Sequence, residues 1–421
     1  MQPLQTAMSF IIAAPASGSG KTTITLGILR ALSRITTVRA AKSGPDYIDP
    51  RFHEAACGQP CLNLDAWAMT PDRIKALAAG DTPLIIEGAM GLFDGAPPDG
   101  KGATADLACI LNLPVILIID AAKMAGSVAA LAKGFINHDP AIEIAGIILN
   151  NVGSPRHETM LRHALGDIRV LGAVPRQADL TQPSRHLGLV QAQERPDLDT
   201  YLDAAADLIS GAIDLDALTL QARPLPDHQA SRLQPPAQRI AVAQDDAFAF
   251  TYPHILNDWR TGGAEIQFFS PLNDDPAPDA DLIYLPGGYP ELHAGRLAGN
   301  RIFLNSLRSN DAQIYGECGG YMVLGQTLTD AHGTPHEMAG LLPLETSFAH
   351  RKRHLGYRKL HATKGLFPGN WTAHEFHYAT TVVANGTPLF TVQDAEGTAL
   401  LPAGLIKSNV SGSFAHIIDR A

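Results

Sequence analysis

The chain has 421 residues, of which 45% are hydrophobic and 18% are charged, and its formal net charge is −10. This length allows two or three domains with full hydrophobic cores, and the composition is ordinary for a soluble globular protein. Because the acidic balance comes without a basic arm or stripe, nucleic acid is not expected as the main partner.

Membrane insertion and secretion are not expected either. The apolar run over residues 10–16 is far too short to span a membrane, and no basic region precedes it. The four cysteines lack the paired spacing of a metal site, so reduced thiols in a cytoplasm are the expected state.

A phosphate-binding loop is predicted at the start of the chain. The apolar strand 8–14 leads into Pro15-Ala-Ser-Gly-Ser-Gly-Lys-Thr-Thr and a helical run over residues 24–32. In a P-loop, backbone N–H groups hold phosphates, the lysine reaches the β and γ oxygens, and the next hydroxyl ligates Mg²⁺. Pro15 replaces the usual first glycine, but the strand and helix context fits. The predicted nucleotide contacts are Gly18, Ser19, Gly20, Lys21, Thr22 and Thr23.

Acidic residues follow the next two predicted strands. Asp46, Tyr47 and Asp49 lie in a loop whose prolines and glycine forbid a regular helix. Acids in this loop either hold Mg²⁺ or substrate or are simply solvated. Glu87 ends the apolar strand 83–87, where P-loop domains place their second Mg²⁺ contact, and Asp94 lies behind it.

The first domain is predicted to be a parallel doubly wound sheet. Further apolar strands at 114–120, 142–150 and 170–175 alternate with helical runs such as 126–135. Asn150 and Asn151 end a strand at the carboxyl edge of this sheet, where ligands bind. The sequence is equally compatible with contacts to the nucleotide base and with capping of a turn.

A proline-rich stretch separates this domain from a second α/β series. We assign residues 1–221 to an ATP-dependent synthetase domain, 222–238 to a linker and 239–421 to the second domain.

The turn around Cys318 is the main catalytic signal of the second domain. Tyr315-Gly-Glu-Cys-Gly-Gly-Tyr lies between an apolar strand and a helical run, which is the layout of a nucleophile elbow with cysteine in place of serine. We expect the thiol to project from the fold at a helix N-terminus, with a lowered pKa. A buried structural cysteine is the alternative interpretation.

Two further stretches complete a possible amidase site. The strand 281–286 leads into Gly287-Gly-Tyr-Pro, and the backbone N–H groups of Gly288 and Gly319 are the predicted oxyanion donors. His416, near the C-terminus, is the predicted base.

This set resembles the triad (class I) glutamine amidotransferase domain, in which a cysteine releases ammonia from glutamine. Most of that superfamily has a glutamate two residues after the histidine, whereas this chain has Ile418. Cys318 and His416 are therefore predicted to form a dyad whose histidine is oriented by another group.

Two polar clusters lie between the cysteine and the histidine. Residues 351–358 are the one basic cluster of the chain, which either binds a polycarboxylate or is a solvated face. His374 and His377 do not have the spacing of a helical zinc pair, so no metal site is predicted there.

The motifs together resemble the cobyrinic or hydrogenobyrinic acid a,c-diamide synthases of cobalamin biosynthesis. The matching stretches begin at Ser17, Lys42, Asn63, Glu87, Leu285, Gly316, Gly356, His374 and Gly412. The resemblance covers nearly the whole chain, and it is specific because Gly-Pro-Asp-Tyr-Ile-Asp-Pro and Glu-Gly-Ala-Met-Gly-Leu-Phe-Asp are not general P-loop features.

The resemblance implies a synthetase domain similar to dethiobiotin synthetase and a flavodoxin-like class I glutamine amidotransferase domain. The implied enzyme is a carbon–nitrogen ligase: ATP activates the a and c carboxylates of a corrin as acyl phosphates, and ammonia from L-glutamine displaces phosphate. The implied Mg²⁺ ligands are Thr22, Glu87 and Asp46, with Asp46, Tyr47, Asp49 and Asp94 in the synthetase site, Cys318 as nucleophile and His416 as base. Arg351, Arg353 and Arg358 are implied contacts for corrin carboxylates, and a cytoplasmic homodimer is expected.

Two other functions are considered. One is amidation of a related tetrapyrrole, as in nickel sirohydrochlorin a,c-diamide synthase or cobyric acid synthase. The other is a partitioning-type nucleotide-switch ATPase with an inert second domain, but such proteins are expected to carry basic or amphipathic surface-binding segments, and this sequence shows neither.

Overall fold

The computed structural model describes residues 8–177, 184–185 and 188–421. The chain forms two compact units, Met1–Ala230 and Ser231–Ala421. The division between the units falls within the stretch 222–238, of which Arg223 and Pro224 form a short strand.

The first unit alternates strands with helices. Its strands are β1 Met8–Ala13, β2 Arg39–Ser43, β3 Leu62–Leu64, β4 Leu84–Glu87, β5 Val115–Asp120, β6 Ile144–Val152, β7 Val170–Pro175, β8 Ser184–Arg185, β9 Gly188–Leu189 and β10 Arg223–Pro224. Its helices are α1 Lys21–Ser33, α2 Asp49–Cys57, α3 Pro71–Ala78, α4 Thr104–Leu111, α5 Ser127–His138, α6 Pro155–Leu165, α7 Leu198–Ala212 and α8 Leu215–Thr219, and a 3₁₀ turn forms at Ala192–Glu194.

The main sheet of this unit has the order β3-β2-β4-β1-β5-β6-β7, and all of these pairs are parallel. The central strands are continuous apolar runs because helices cover both faces of a parallel sheet. Strand β10 adds to β1 in the antiparallel sense. The carboxyl ends of β1, β2 and β4 lie side by side, so the loops that follow them meet at one edge.

The second unit begins as another parallel sheet and continues as an antiparallel one. Its strands are β11 Arg239–Ala243, β12 Glu265–Phe269, β13 Leu282–Leu285, β14 Gln313–Glu317, β15 Thr327–Thr329, β16 Pro335–Glu337, β17 Leu344–Ser347, β18 His354–Ala362, β19 Gly369–His377, β20 Thr380–Ala384, β21 Thr387–Gln393, β22 Ala399–Lys407, β23 Val410–Ser413 and β24 Ala415–Arg420. Its helices are α9 Pro253–Thr261, α10 Ala294–Gly299, α11 Arg301–Arg308 and α12 Gly319–Leu324, with 3₁₀ turns at Pro271–Asn273 and Pro290–Leu292.

The large sheet of the second unit has ten strands in the order β12-β11-β13-β14-β23-β22-β21-β18-β19-β24. The first five are parallel, and numbered along the chain their order is 2-1-3-4-5, which is the flavodoxin-like arrangement. The prediction of two doubly wound α/β domains is thereby confirmed. The remaining five strands pair antiparallel, and β16-β15-β17-β20 form a separate small sheet.

Each unit has its own hydrophobic core. In the first unit, residues of β1, β5 and β6 pack against α1 and α7. In the second unit, β11, β13 and β14 pack against α11 and α12. Among the described residues, no helix has both the length and the hydropathy that crossing a membrane requires.

Candidate active sites

The glycine-rich loop after β1 borders a cavity of about 660 Å³, a size suited to a small-molecule ligand. Gly20 has a φ of 85°, and a Cβ added there would lie 2.2 Å from the amide nitrogen of Asn150. That amide donates to the carbonyl of Ser19 at 2.9 Å, so the loop is fastened to the end of β6. The cavity is lined by, among others, Gly18, Gly20, Lys21, Thr22, Thr23, Lys42, Asp46, Asp49, Glu87, Asn150 and Asn151.

The P-loop lysine faces this cavity. Lys21 begins α1, is only 7% exposed, and donates from its ammonium group to the carbonyl of Met90 at 2.5 Å. Burial lowers the pKa of Lys21, while the nearby carboxylate of Glu87 acts in the opposite direction. The ammonium group is thus held between the loop after β1 and the loop after β4.

The hydroxyl groups of Ser19 and Thr23 both have partners within the first unit. The hydroxyl of Ser19 donates to the carbonyl of Ala16 at 2.8 Å. Thr23 Oγ1 lies 3.3 Å from the hydroxyl of Tyr201 on α7. The side chain of Ser19 therefore shapes the loop, and Thr23 links α1 to α7.

Glu87 is the centre of a buried polar network. Its Oε1 accepts from the hydroxyl of Thr22 at 2.7 Å and from Nζ of Lys42 at 2.8 Å, and its Oε2 lies 2.6 Å from Nε2 of His53. Lys42 and Glu87 are register partners on β2 and β4, so the sheet itself brings them together. Lys42 also donates to Asp49 at 2.7 Å.

Mutual pairing keeps this network charged despite its burial. Burial alone would raise the pKa of Glu87, but Lys42 and His53 hold it well below its usual range. Burial likewise opposes a charged Lys42, but Asp49 and Glu87 raise the pKa of that ammonium group above its usual range. The acid at the end of β4 is therefore a carboxylate at neutral pH.

The loop between β2 and α2 brings Asp46 and Tyr47 to the same edge, and Asp49, which was predicted to lie in this loop, is the first residue of α2. Asp46 accepts hydrogen bonds from the N–H groups of Ile48 and Asp49 at 2.7 and 3.1 Å, which closes the turn. Burial, and then the neighbouring carboxylate of Asp49, raises the pKa of Asp46 to about 6. Tyr47 is half-buried in this turn.

Asp94 and Asn151 support neighbouring loops. Asp94 accepts from the N–H of Gly91 at 2.9 Å, and its charge also acts on Lys21. The amide of Asn151 donates to Asp120 at 3.0 Å, across the ends of β5 and β6.

In the second unit, Cys318 stands between β14 and α12, in the predicted strand–turn–helix layout. Its backbone has a φ of 45° and a ψ of −102°, a conformation that L-residues rarely adopt. The turn is held by the N–H of Cys318, which donates to Ser413 at 2.8 Å, and by the N–H of Gly320, which donates to Pro286 at 3.0 Å. A Cβ on Gly320 would lie 1.9 Å from the carbonyl oxygen of Leu285, so glycine is required there.

The expected exposed thiol of low pKa is not what the structure contains. Cys318 is 3% exposed, and burial raises the pKa of its thiol, with a further contribution from Glu291. The helix α12 has only six residues, and its N-terminal dipole does not compensate for the cost of burying a thiolate away from water. The sulfur is not enclosed by hydrocarbon alone, because it lies 4.0 Å from the carbonyl oxygen of Phe376.

His416 lies beside Cys318. A Cβ placed on Gly287 would stand 2.2 Å from Cε1 of His416 and 3.2 Å from Cβ of Cys318, so both residues border this one glycine. His416 is a register partner of His374 on β19. Burial lowers the pKa of His416 to about 3, and the neighbouring His374 and His377 act in the same direction. The imidazole is therefore neutral at physiological pH and able to accept a proton.

The two predicted oxyanion donors are adjacent. The backbone nitrogen of Gly288 lies 3.0 Å from the point at which a Cβ on Gly319 would stand. Gly288 follows β13 and Gly319 begins α12, so the carboxyl edge of the parallel sheet brings these two N–H groups close to the thiol.

A second carboxylate network lies close to the cysteine. Glu375 accepts from Nε of Arg358 at 2.8 Å and lies 2.9 Å from Nε2 of His377. Burial alone would raise the pKa of Glu375, but His377 and Arg358 hold it at about 2. Arg358 is thus paired within its own unit, whereas Arg351 and Arg353 are exposed.

His354, Glu375 and His377 bring their possible metal-ligating atoms within 4.8 Å of one another. The imidazole rings of His354 and His377 are stacked, with centroids 4.6 Å apart and an angle of 8° between their planes. The carboxylate of Glu375 accepts a hydrogen bond from Arg358. Ring stacking and ion pairing account for this cluster without an ion.

Sequence reasoning gave no role to several polar residues at the two sites: Lys42, His53, Glu317 and Glu375. Lys42 is the last residue but one of β2 and Glu87 is the last residue of β4, and the alignment of parallel strand ends is the signal that would have found this pair. Glu317 occupies a variable position of the Gly-x-Cys-x-Gly pattern, so the pattern predicts no role for it.

Both units match known families. Residues 10–190 match the family described as CobQ/CobB/MinD/ParA nucleotide binding domain. Residues 239–420 match the family described as CobB/CobQ-like glutamine amidotransferase domain.

Full-length relatives are similar over almost the whole chain. A protein of Brucella abortus biovar 1 (strain 9-941) named hydrogenobyrinate a,c-diamide synthase is 56% identical over 97% of this chain and 98% of its own length. A protein of the same name from Sinorhizobium sp is 54% identical over 98% of each chain. Another from Rhodobacter capsulatus is 50% identical over 97% of this chain and 98% of its own.

Proposed function

The chain belongs to the family of the hydrogenobyrinate a,c-diamide synthases, and from this membership we propose that it amidates the a and c side-chain carboxylates of hydrogenobyrinic acid, using ATP and L-glutamine. The enzyme is a glutamine-dependent carbon–nitrogen ligase with a nucleotide-binding unit and a glutamine amidotransferase unit.

Two reactions are required for each amide. In the second unit, water and glutamine give glutamate and ammonia. In the first unit, a substrate carboxylate attacks the γ-phosphorus of ATP to give an acyl phosphate and ADP. Ammonia then adds to the acyl carbon, phosphate leaves, and the nitrogen loses a proton to give the amide.

In the first unit, the loop at residues 15–20 holds the phosphates through its backbone N–H groups, and Lys21 balances their charge. Thr22 and Glu87 offer hard oxygen ligands only 2.7 Å apart, and Asp46 lines the same cavity, so this donor set fits Mg²⁺. When bound, the ion would neutralise charge on the phosphate oxygens. Lys42 and His53 hold Glu87 in place from the protein side.

In the second unit, Cys318 attacks the side-chain amide carbon of glutamine, and His416 takes the thiol proton and delivers it to the departing ammonia. Water then hydrolyses the resulting thioester, which releases glutamate and restores the thiol. The N–H groups of Gly288 and Gly319 stabilise the oxyanion. A neutral thiol beside a neutral imidazole suits this order of events, because the proton moves only when glutamine is attacked.

The observation that carries the proposal is the presence of both sites in one chain. A cavity with a P-loop lysine and a carboxylate lies in one unit, and a cysteine in an elbow beside a neutral histidine lies in the other. A nucleotide-switch ATPase has no use for the second site. We further propose that the enzyme works in the cytoplasm and that it is a homodimer. Sedimentation of the purified protein would test the homodimer.

The test of the second site uses Cys318→Ala, with Cys109→Ala as the control because Cys109 is an exposed free cysteine. Cys318→Ala should abolish glutamine-dependent amidation and retain amidation with ammonium salts, while Cys109→Ala should support both. Glutamine-dependent product from Cys318→Ala would contradict the proposed nucleophile.

The test of the first site uses Lys21→Ala, with Lys133→Ala as the control because Lys133 is exposed on α5. Lys21→Ala should lose amidation with either nitrogen source while glutamine hydrolysis persists. Mass spectrometry of products from metal-free and cobalt-loaded substrates would identify the accepted ring, and no amidated product from either would overturn the proposed function.

A further inference from the structure

The histidine of the second site lacks the orienting carboxylate expected in its sequence neighbourhood. Ile418, two residues after His416, is fully buried and apolar. An imidazole that must accept a thiol proton at one nitrogen needs its other nitrogen held as a donor, because only one neutral tautomer has the required acceptor.

The structure brings a different carboxylate to this histidine. Oε2 of Glu317 lies 3.7 Å from Nδ1 of His416, and both side chains are almost completely buried, with exposed fractions of 4% and 1%. This separation is longer than a hydrogen bond, so a direct bond requires the ring to move toward the acid. Glu317 directly precedes Cys318, so one strand end positions both the nucleophile and this carboxylate.

Glu317 is fixed from two sides. Its Oε2 accepts from the hydroxyl of Tyr284 on β13 at 2.8 Å, and its Oε1 accepts from the N–H of Ile417 at 3.1 Å. The second bond ties the carboxylate to the backbone of β24, the strand that carries His416. The distance between acid and ring is therefore set by the sheet framework and not by a flexible loop.

The other acid close to His416 is already committed. Glu375 is held by Arg358 and His377, at 2.8 and 2.9 Å. Its charge acts on His416 in the direction that raises the pKa of the imidazole.

We infer that Glu317 is the positioning residue of the glutamine site: it holds the imidazole of His416 with its proton on Nδ1, so that Nε2 accepts the proton of Cys318. The catalytic set is thus a triad whose acid comes from the residue before the nucleophile. This inference rests on the proposed hydrolysis of glutamine at Cys318.

The test is Glu317→Gln in the full-length enzyme. The amide keeps the shape of the side chain but presents an N–H toward Nδ1, which favours the opposite tautomer. We expect kcat for glutamine hydrolysis to fall by about 10²- to 10⁴-fold, as for loss of the acid in other triads, with KM for glutamine within about threefold. Amidation with ammonium salts should stay within about twofold.

The matched control is Asp258→Asn. Asp258 is a buried carboxylate of the same unit, 4% exposed, and it accepts from the N–H of Leu233 at 2.9 Å. It lies on α9, outside the cysteine site, so its glutamine kcat should stay within about twofold. A Glu317→Gln enzyme with kcat within about fivefold of the wild type would overturn the inference.

A spectroscopic measurement makes the test independent of the variant's folding. In ¹⁵N-histidine-labelled wild-type enzyme at pH 8.5, long-range ¹H–¹⁵N correlation should show His416 with its proton on Nδ1, the signal being assigned with His416→Asn. A proton on Nε2 in the wild type would refute the role of Glu317 even if Glu317→Gln does not fold.

If wild-type and Asp258→Asn enzymes both lack glutamine hydrolysis, the proposed function fails; if both are active and Glu317→Gln is equally active, only this inference fails.

Discussion

At the scale of single residues, the cysteine site holds its reactive groups in their neutral forms. Burial raises the pKa of the Cys318 thiol and lowers the pKa of His416 to about 3. A thiolate–imidazolium pair is therefore disfavoured before glutamine arrives. Such a site reacts slowly with general thiol reagents and depends on substrate to initiate proton transfer.

This electrostatic state predicts the pH dependence of Cys318 alkylation. Because the pKa of the thiol is raised above its ordinary value of 9.0, the thiolate fraction should grow about tenfold per pH unit from pH 6 to 9, without a plateau. Iodoacetamide labelling followed by peptide mass spectrometry measures this rate, with the exposed Cys109 as an internal reference that reacts faster at each pH. A plateau for Cys318 below pH 8 would indicate a preformed ion pair and contradict the prediction.

The buried network around Lys42 predicts a large loss of stability on its removal. Lys42→Met would leave Asp49 and Glu87 buried without their cation, so we expect the free energy of unfolding of the first unit to fall by about 3–5 kcal/mol. Urea denaturation followed by circular dichroism measures the change.

The control for this variant is Arg51→Met, which removes a cation from the pair with Glu54, in which each side chain is 25% exposed. That change should cost about 0–1 kcal/mol, because water screens the pair. Equal losses for Lys42→Met and Arg51→Met would mean that the buried network contributes no more than a surface pair.

Sequence patterns found the residues that belong to a motif and missed those whose partners are fixed by register. Cys318, His416, Lys21 and Glu87 each follow from a local pattern. The pairing of Lys42 with Glu87 depends on which strands are neighbours, and the approach of Glu317 to His416 depends on two strands about a hundred residues apart in the chain. Burial of Cys318, and hence the direction of its pKa shift, depends on packing of the whole second unit.

At the scale of secondary-structure elements, the turn after β13 confines the histidine of the cysteine site. A Cβ on Gly287 would lie 2.2 Å from the ring of His416. Gly287→Ala must therefore displace the imidazole or the turn, and a shift of about 1 Å at a reacting group costs about 100-fold in rate. We expect glutamine hydrolysis to fall by that factor, with amidation by ammonium salts unchanged, in steady-state assays.

Gly299→Ala is the matched control. Gly299 ends α10, and a Cβ there would meet nothing within 4 Å. Its glutamine kcat should equal that of the wild type within about twofold. Full activity of Gly287→Ala would show that the ring is not confined by this turn.

The parallel strands were predicted well because each is an apolar run with a glycine, a proline or an acid at or just after its end. Strands β1, β4 and β13 differ from their predicted bounds by no more than one residue at either end. The antiparallel half was missed: β22, for example, is exposed along most of its length and has no apolar period to detect. Such strands are held by pairing with neighbours, which a local pattern does not contain.

At the scale of the whole molecule, composition and the proline-rich stretch predicted two domains, and the structure forms two units that divide between residues 230 and 231. The exact residue of division was not predictable, because Arg223 and Pro224 return to pair with β1. Each unit has a core of its own, so a ligand of one unit should stabilise that unit whether or not the other is active.

This organisation predicts how ATP affects unfolding of the full chain. At a concentration 100 times its Kd, ATP should stabilise the first unit by about 2.7 kcal/mol, since it binds the folded state alone. Differential scanning calorimetry in the presence of Mg²⁺ should show one transition moving to higher temperature, in Cys318→Ala as much as in the wild type. Lys21→Ala should show little or no shift, because the ammonium group that faces the cavity is absent. An equal shift in Lys21→Ala would mean that the nucleotide binds elsewhere. Chelating Mg²⁺ should reduce the shift of the wild-type transition, because the phosphate charges would then face Glu87 and Asp46 without a cation between them.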